Sequence, residues 1–458
     1  MFQKILIANR GEIAVRIIRA CRELGIRSVA VYSTADRDAL HTMLADESIC
    51  IGKAAPADSY LNMERILSAA IASKADAIHP GFGFLSENAK FAQMCKQCNI
   101  VFIGPSADVI SRMGNKQEAR NTMIAAKVPV VPGTQEPVYR ADYGLKLAQE
   151  IGFPVMIKAA SGGGGKGMRI SVSAADFSEN FEIAQTESVN GFGDNTMYIE
   201  KYIENPRHIE FQILADQHGH VVSLGERDCS VQRLHQKMVE ESPSPALDSK
   251  LRREMGAVAV RAAMAANYES AGTVEFLLDQ DKNYYFMEMN TRIQVEHGVT
   301  EMVTGLDLIK EQIFIADGQK LRFRQKDIHI SGHAIECRLN AEDPQRNFMP
   351  CPGRIELLYL PGGNGVRVDS AVFAGYTVPP NYDSMIAKII VFGKDRETAL
   401  NKMQSALGEV NVEGIKTNLD YQYDIITHPV FRAGEATTGF LEEYFHGNGS
   451  SADRLNLI

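Results

Sequence analysis

Over roughly the first hundred residues, short apolar runs alternate with stretches whose apolar residues recur at helical spacing. Lys4-Ile-Leu-Ile-Ala8 is a short apolar strand, and Asn9-Arg-Gly-Glu12 leads into a helix with Ile13, Ile17, Cys21 and Leu24 on one face. Ser28 to Tyr32 is the next strand. Ala77-Ile-His79 and Ile100-Val-Phe-Ile103 end in Pro80-Gly-Phe-Gly83 and Gly104-Pro105. Strands alternating with helices predict a small doubly wound parallel sheet. The turn after the first strand lacks the three-glycine fingerprint of a dinucleotide site. Loops at the C-terminal strand ends remain the place where such a sheet meets a ligand, which makes Gly81-Phe-Gly83 a candidate rim.

After Met113-Gly-Asn-Lys116 the rhythm changes. Val128 to Gly133, with two prolines, reads as an extended linker. Gly152-Phe-Pro-Val-Met-Ile-Lys158 is a strand running into Ala159-Ala-Ser-Gly-Gly-Gly-Gly-Lys-Gly-Met168. Four adjacent glycines leave backbone N–H groups bare enough to approach an anion and flexible enough to fold over it. Between Lys158 and Lys166 the run reads as a phosphate cover. It is not a Walker-type loop, since no Gly-Lys-Ser/Thr opens a helix. Met197-Tyr-Ile-Glu-Lys-Tyr-Ile203 is another apolar strand. Glu226-Arg-Asp-Cys-Ser-Val-Gln-Arg-Leu-His-Gln-Lys237, dense in donors, reads on its own as a solvated polar turn.

The period of two is clearest further on. Thr273-Val-Glu-Phe-Leu-Leu-Asp279 and Tyr284 to Asn290 predict two strands joined by the polar loop Gln280-Asp-Lys-Asn283. Tyr284, Phe286, Glu288 and Asn290 share one face, which Arg292 continues. Pairing Asp279 with Tyr284 sets Glu275 opposite Glu288. Like charges facing each other across strands repel unless a cation lies between them, and two carboxylates with an Asn amide are the hard oxygen set that Mg²⁺ takes. A solvent-facing hairpin that carries two acids is the competing reading, and a one-residue slip in register separates them.

Composition narrows the classes. A chain of 458 residues is too long for one core. Its 45% hydrophobic and 23% charged content is that of a water-soluble globular protein. A net charge of −9 argues against nucleic acid or an anionic membrane as main partner. No apolar run approaches a membrane span, and no signal peptide is read at the N-terminus, so a cytoplasmic protein is expected. Seven scattered cysteines make no disulfide framework. Cys95-Lys-Gln-Cys98 has no companion pair at zinc spacing and reads as packed or half-exposed thiols.

Asn9-Arg-Gly-Glu-Ile-Ala14, His79-Pro-Gly-Phe-Gly-Phe-Leu-Ser-Glu-Asn88, Ser161-Gly-Gly-Gly-Gly-Lys-Gly-Met168, Glu226-Arg-Asp-Cys-Ser230, Glu288-Met-Asn-Thr-Arg-Ile-Gln-Val-Glu-His297 and Gly332-His-Ala-Ile-Glu-Cys-Arg338 together resemble the biotin carboxylases, members of the ATP-grasp ligases. The match runs in unbroken order over nearly the whole chain. It implies an α/β fold (α+β overall): a parallel-sheet pre-ATP-grasp domain over 1–114, an ATP-grasp domain over 115–330 with a mobile lid at about 131–203, a mixed α/β C-terminal domain over 331–446 and a tail over 447–458. Carried over by resemblance, Lys116 and Lys158 are phosphate-contacting lysines, and Gly164 and Gly165 are lid glycines over the triphosphate. Glu200, Lys201, Tyr202 and Ile203 form the adenine hinge. His208 and Gln232 fall at nucleotide positions, with His235 close by. Glu275, Glu288 and Asn290 match the metal positions. Lys237, Arg292, Gln294, Val295 and Glu296 match the bicarbonate pocket, and Arg338 the residue beside the biotin ureido group.

The implied cofactors are ATP, Mg²⁺ or Mn²⁺, and biotin on a separate carrier protein, because no Ala/Val-Met-Lys-Met motif is present. The implied partners are bicarbonate, the biotin carboxyl carrier protein and carboxyltransferase subunits, in a homodimer. The implied setting is acetyl-CoA carboxylase in fatty-acid synthesis. The alternatives are a pyruvate or other acyl-CoA carboxylase, or another ATP-grasp carboxylate–amine ligase. Two departures stand out. Gly298 replaces the family's usual Pro, so Gly298→Pro is expected to rigidify the Glu296 loop. Phe82 stands where Tyr is common and keeps only the apolar wall. Tyr382 and Asp383 read as structural.

Overall fold

A computed structural model describes residues 1–160 and 167–445. Gly164, Gly165 and Lys166 therefore lie outside the described residues, as does the tail. The chain forms two compact units, one of Met1–Val128, His208–Phe276 and Glu288–Ala436, the other of Pro129–Arg207, Leu277–Met287 and the segment from Thr437.

The N-terminal rhythm produces the expected sheet. Strands β1 (Lys4–Ile7), β2 (Arg27–Ser33), β3 (Glu47–Gly52), β4 (Ala77–His79) and β5 (Val101–Phe102) lie in the order β3-β2-β1-β4-β5, all parallel. Helix α1 (Gly11–Glu23) buries Ile13, Ile17 and Cys21 as its spacing requires, but it also buries Glu12 and Arg16. Its apolar face joins Ile5 and Ile7 in a core with Leu214, Val222, Ile293, Leu308 and Ile313. Cys95 is buried and Cys98 exposed, so the Cys-x-x-Cys pair is not one converged site.

In the second unit, β6 (Val155–Ala159) is flanked by β7 (Met168–Ser171) and β8 (Met197–Lys201), both antiparallel to it. Val155, Ile157, Met197 and Ile199 meet Phe177, Phe181 and Ala184 of the helix Phe177–Phe192. The proline-bearing linker is extended yet paired: Gly133 bridges Glu200, and Val130 bridges Phe286.

A second sheet carries most of the candidate chemistry. Among the described residues it orders β9 (Arg207–Ala215), β10 (Val221–Arg233), β11 (Gln236–Ser242), β12 (Ser270–Leu278), β13 (Tyr284–Asn290) and β14 (His333–Asn340) as β13-β12-β9-β10-β11-β14, then continues through Met385–Gly393 and Val366–Ser370. Strands on both sides of residue 330 thus share one sheet. Of Glu226 to Lys237, read as a solvated turn, only Leu234 and His235 turn; Glu226 to Arg233 is the second half of β10, with Glu226 and Arg227 fully buried. No described helix is long and apolar enough to cross a membrane.

Candidate active site

The β12–β13 hairpin differs in one detail from the expected register. Asp279 N donates to Asn283 O at 2.9 Å, and Lys282 takes φ +66° in the turn, so Asp279 faces Asn283 rather than Tyr284. Further along the strand Met287 and Glu288 are both exposed and the period of two breaks. Glu288 and Asn290 still serve Glu275. Asn290 Nδ2 donates to Glu275 Oε1 at 2.8 Å, while loss of water around the Glu288 carboxyl group, whose residue as a whole stays exposed, and then the Glu275 charge push Glu288 above the usual carboxylate range.

Glu275 is 3% exposed and densely held. Its Oε1 accepts from Lys237 Nζ at 3.0 Å, Gln294 Nε2 at 2.8 Å and Asn290, while His208 Nε2 lies 2.8 Å from Oε2. Burial pulls the Lys237 ammonium down, but Glu210, Glu275 and Glu296 together hold it well above its ordinary value. Lys237 donates to Glu296 Oε1 at 2.7 Å and also to Glu210. Arg338 Nη2 donates to the other Glu296 oxygen at 2.9 Å, and its Nε donates to Glu240 Oε1 at 2.7 Å. Burial pushes Glu296 up, yet Lys237, Arg338 and Arg227 outweigh it and hold this carboxylate well below the usual range.

Arg292 continues the Glu288–Asn290 face as expected. Its Nη2 donates to Asn290 Oδ1 at 2.9 Å and its Nε to Glu87 Oε2 at 2.8 Å. Three of the residues that do this work escaped the sequence reading. Arg227 is fully buried and donates to Glu210, Gln212, Thr300, Thr273 and Gln294, which orients Gln294 toward Glu275. Glu210 bridges Arg227 and Lys237. Glu87, beside Arg292, also accepts from Thr291 N at 3.0 Å. The polar density of Glu226–Lys237 and of His79–Asn88 was the available signal.

The remaining candidates divide between the units. In the first, Lys116 is exposed at the start of the helix Lys116–Ala125, and its charge acts on Glu288. Gln232 faces Lys237 across the β10–β11 hairpin, and His235 is exposed at its tip with φ +62°. In the second, Lys158 pairs with Glu200. Lys201 Nζ donates to Gly152 O and Phe153 O, while Tyr202 N donates to Pro154 O. Tyr202 and Ile203 follow the end of β8 and are half-buried.

Glu275, Glu288 and Asn290 carry the hard oxygens a divalent cation takes, but here Asn290 turns its Nδ2 to Glu275 and its Oδ1 to Arg292, so a cation would need that amide to turn over. Glu210 and Glu275, which with His208 bring possible ligand atoms within 4.8 Å of one another, are already neutralised by Lys237 and Arg227.

Comparison with known proteins decides the family. Residues 1–110 match the model of the biotin carboxylase N-terminal domain, 115–324 that of the carbamoyl-phosphate synthase L chain ATP binding domain, and 336–443 that of the biotin carboxylase C-terminal domain. The chain belongs to the biotin carboxylase family. As a biotin carboxylase it is an ATP-grasp ligase. Biotin carboxylase 1 of Bacillus subtilis is 57% identical over 97% of this chain and 99% of that one. A pyruvate carboxylase subunit of Methanothermobacter thermautotrophicus is 53% identical over 98% and 91%. The biotin carboxylase domain dimer of Hydrogenobacter thermophilus 2-oxoglutarate carboxylase, solved with MgADP, ADP and bicarbonate, is 50% identical, with a TM-score of 0.89 over 97% of this chain and 98% of that one.

The structure also qualifies the two departures from the family pattern. Gly298 is buried in the first turn of the helix His297–Thr304. A Cβ there would lie 2.4 Å from Ile390 Cδ1 and 3.2 Å from Glu336 Oε2, both side-chain ends, so a Pro requires Ile390 to give way. Gly298→Pro rigidifies the loop only at the cost of that shift. Phe82 packs against the core under the N-terminal sheet. Tyr382 donates to Ala54 O at 2.6 Å and lies under the Arg10 guanidinium at 4.3 Å, contacts of a structural kind.

Proposed function

We propose that this biotin carboxylase uses ATP and bicarbonate to carboxylate biotin carried on a separate protein, the first half-reaction of a multisubunit carboxylase. The observation that supports it best is the convergence of Lys237 and Arg338 on opposite oxygens of one buried carboxylate, Glu296. Arg292, Lys237, Gln294 and Val295 hold bicarbonate. Glu296, ionised, takes its proton, and the freed oxygen attacks the γ-phosphate to give carboxyphosphate and ADP. Between two cations Glu296 is a weak base. A bound anion draws Lys237 and Arg292 to itself and raises the proton affinity of Glu296 beside it. Carboxyphosphate breaks to CO₂ and phosphate, the phosphate takes the N1′ proton of biotin, and N1′ attacks CO₂. Arg338, always charged and planar, stabilises the charge on the ureido oxygen.

Lys116 and Lys158 contact the phosphates in this reading, and Glu200, Lys201, Tyr202, Ile203, His208, Gln232 and His235 the nucleoside. Glu275, Glu288 and Asn290 hold Mg²⁺ or Mn²⁺, which when bound offsets the repulsion between carboxylates and phosphate oxygens. The setting is a cytoplasmic homodimer in acetyl-CoA carboxylase, with a carrier protein and carboxyltransferase subunits. The pyruvate carboxylase relative at 53% identity favours a second setting, a keto-acid carboxylase. The test is bicarbonate-dependent ATP hydrolysis with and without free biotin. Stimulation by biotin supports the reading, and ATP use that requires an amine acceptor overturns it.

A further inference from the structure

Lys388 is fully buried in the strand Met385–Gly393, between Arg338 on β14 and Asp369 on the strand Val366–Ser370, its direct cross-strand partners. Its Nζ donates to the Val295 carbonyl at 2.6 Å and lies 3.4 Å from Glu12 Oε1 and 3.6 Å from Asp369 Oδ2. An apolar side chain is the inexpensive way to fill such a place, since a buried ammonium must recover several kcal/mol of lost hydration. Here the shortest contact of the ammonium goes to a main-chain carbonyl rather than to either acid. That carbonyl belongs to the residue immediately before Glu296.

The two neighbouring strands thus present two cations to one short segment. Arg338 holds the Glu296 side chain, and Lys388 holds the backbone that carries it. Glu12, from the Asn-Arg-Gly-Glu turn of the N-terminal sheet, stands behind Lys388 as its nearest acid, and Arg367 secures Asp369 with two bonds of 3.0 and 2.7 Å.

We infer that Lys388 is a positioning residue for the catalytic base: it fixes the Val295 peptide and so the direction from which Glu296 meets bicarbonate. The inference rests on the assignment of Glu296 as base. A misplacement near 1 Å costs about 100-fold in favourable cases, so a loosened but intact loop is expected to lose about 10-fold or more in kcat.

The test measures bicarbonate-dependent ATP hydrolysis and carboxylation of free biotin by the full chain carrying Lys388→Met, alone and combined with Glu296→Gln. Residues that act as a unit are strongly non-additive. Lys388→Met is therefore expected to lower kcat about 10-fold or more with the KM for ATP within about two-fold, and to cause almost no further loss once Glu296 is Gln. Equal fractional losses in both backgrounds, or no loss in either, overturn the inference while leaving Glu296 as base. Full activity of Glu296→Gln alone overturns the base assignment and this inference with it. Should Lys388→Met fail to fold, Glu12→Gln/Lys388→Met removes the ammonium together with its nearest acid. Restored folding with kcat still low supports positioning, and restored folding with restored kcat overturns it.

Discussion

Charged side chains in the two units are treated differently. In the first, Lys237 meets three carboxylates at 12% side-chain exposure, and Glu296, at 2%, is held from both oxygens. In the second, Lys158 and Glu200 form one pair at 38% and 22% exposure. A buried network keeps its geometry before any ligand arrives, because each member that moves leaves another uncompensated in low dielectric. A part-exposed pair exchanges easily with water and gives up little when a ligand separates it. The preorganised half suits a proton transfer and two oxyanions, whereas the half with looser charges suits groups that must yield to a nucleotide.

Lys237→Met is expected to strain this contrast most. It leaves Glu210, Glu275 and Glu296 buried without their shared cation, a loss of about 3–5 kcal/mol for breaking a buried pair. The sign with pH follows. The depressed Glu275 and Glu296 carboxylates contribute stability above the ordinary carboxylate range, lost as pH falls through their lowered values. Melting of wild type and variant should therefore differ most near neutrality and converge in acid. A constant difference would mean that the network is not charged as described.

Gly298→Pro comes next. With Ile390 in the way, overpacking is expected to cost about 1–3 kcal/mol, read as a lower melting temperature, and any gain in kcat would show that Ile390 yields. Lys158→Met, in the second unit, is expected to change stability by at most about 1 kcal/mol while raising the KM for ATP more than that for bicarbonate. A large drop in melting temperature would erase the contrast between the units.

Much of this was legible in the chain because it was local. The period of two placed Asn290 beside Arg292, and strand–helix alternation gave the parallel character of the N-terminal sheet, though neither its order nor the strand β3. The register slip came from a three-residue loop closed by Lys282 at φ +66°, a conformation that a lysine rarely advertises. Glu226–Arg233 was misread because a strand buried on both faces does not alternate, and the partners of Arg227 lie 15 to 73 residues away. Lys388 reaches Val295 across 93 residues, a distance that no local pattern spans.

The smallest effect concerns the N-terminal end of the same buried network. Burial, followed by the Asp369 charge, raises Glu12 from an ordinary 4.5 to about 7 against the pull of Lys388. Its contribution runs opposite in sign to that of Glu296. Below 4.5 both folded and unfolded chains hold the proton and nothing is lost. As pH climbs toward 7 the unfolded chain gives up its proton while the folded chain keeps it, so this group erodes stability through that window. Glu12→Gln cannot ionise, so its melting temperature relative to wild type should rise between about pH 5 and pH 8. Glu240, also raised to about 7, titrates in both proteins and cancels in the difference. A flat or falling difference would show Glu12 ionised throughout and bound tightly to Lys388. The first unit would then hold still more of its charge in fixed pairs, and the contrast with Lys158 and Glu200 would sharpen.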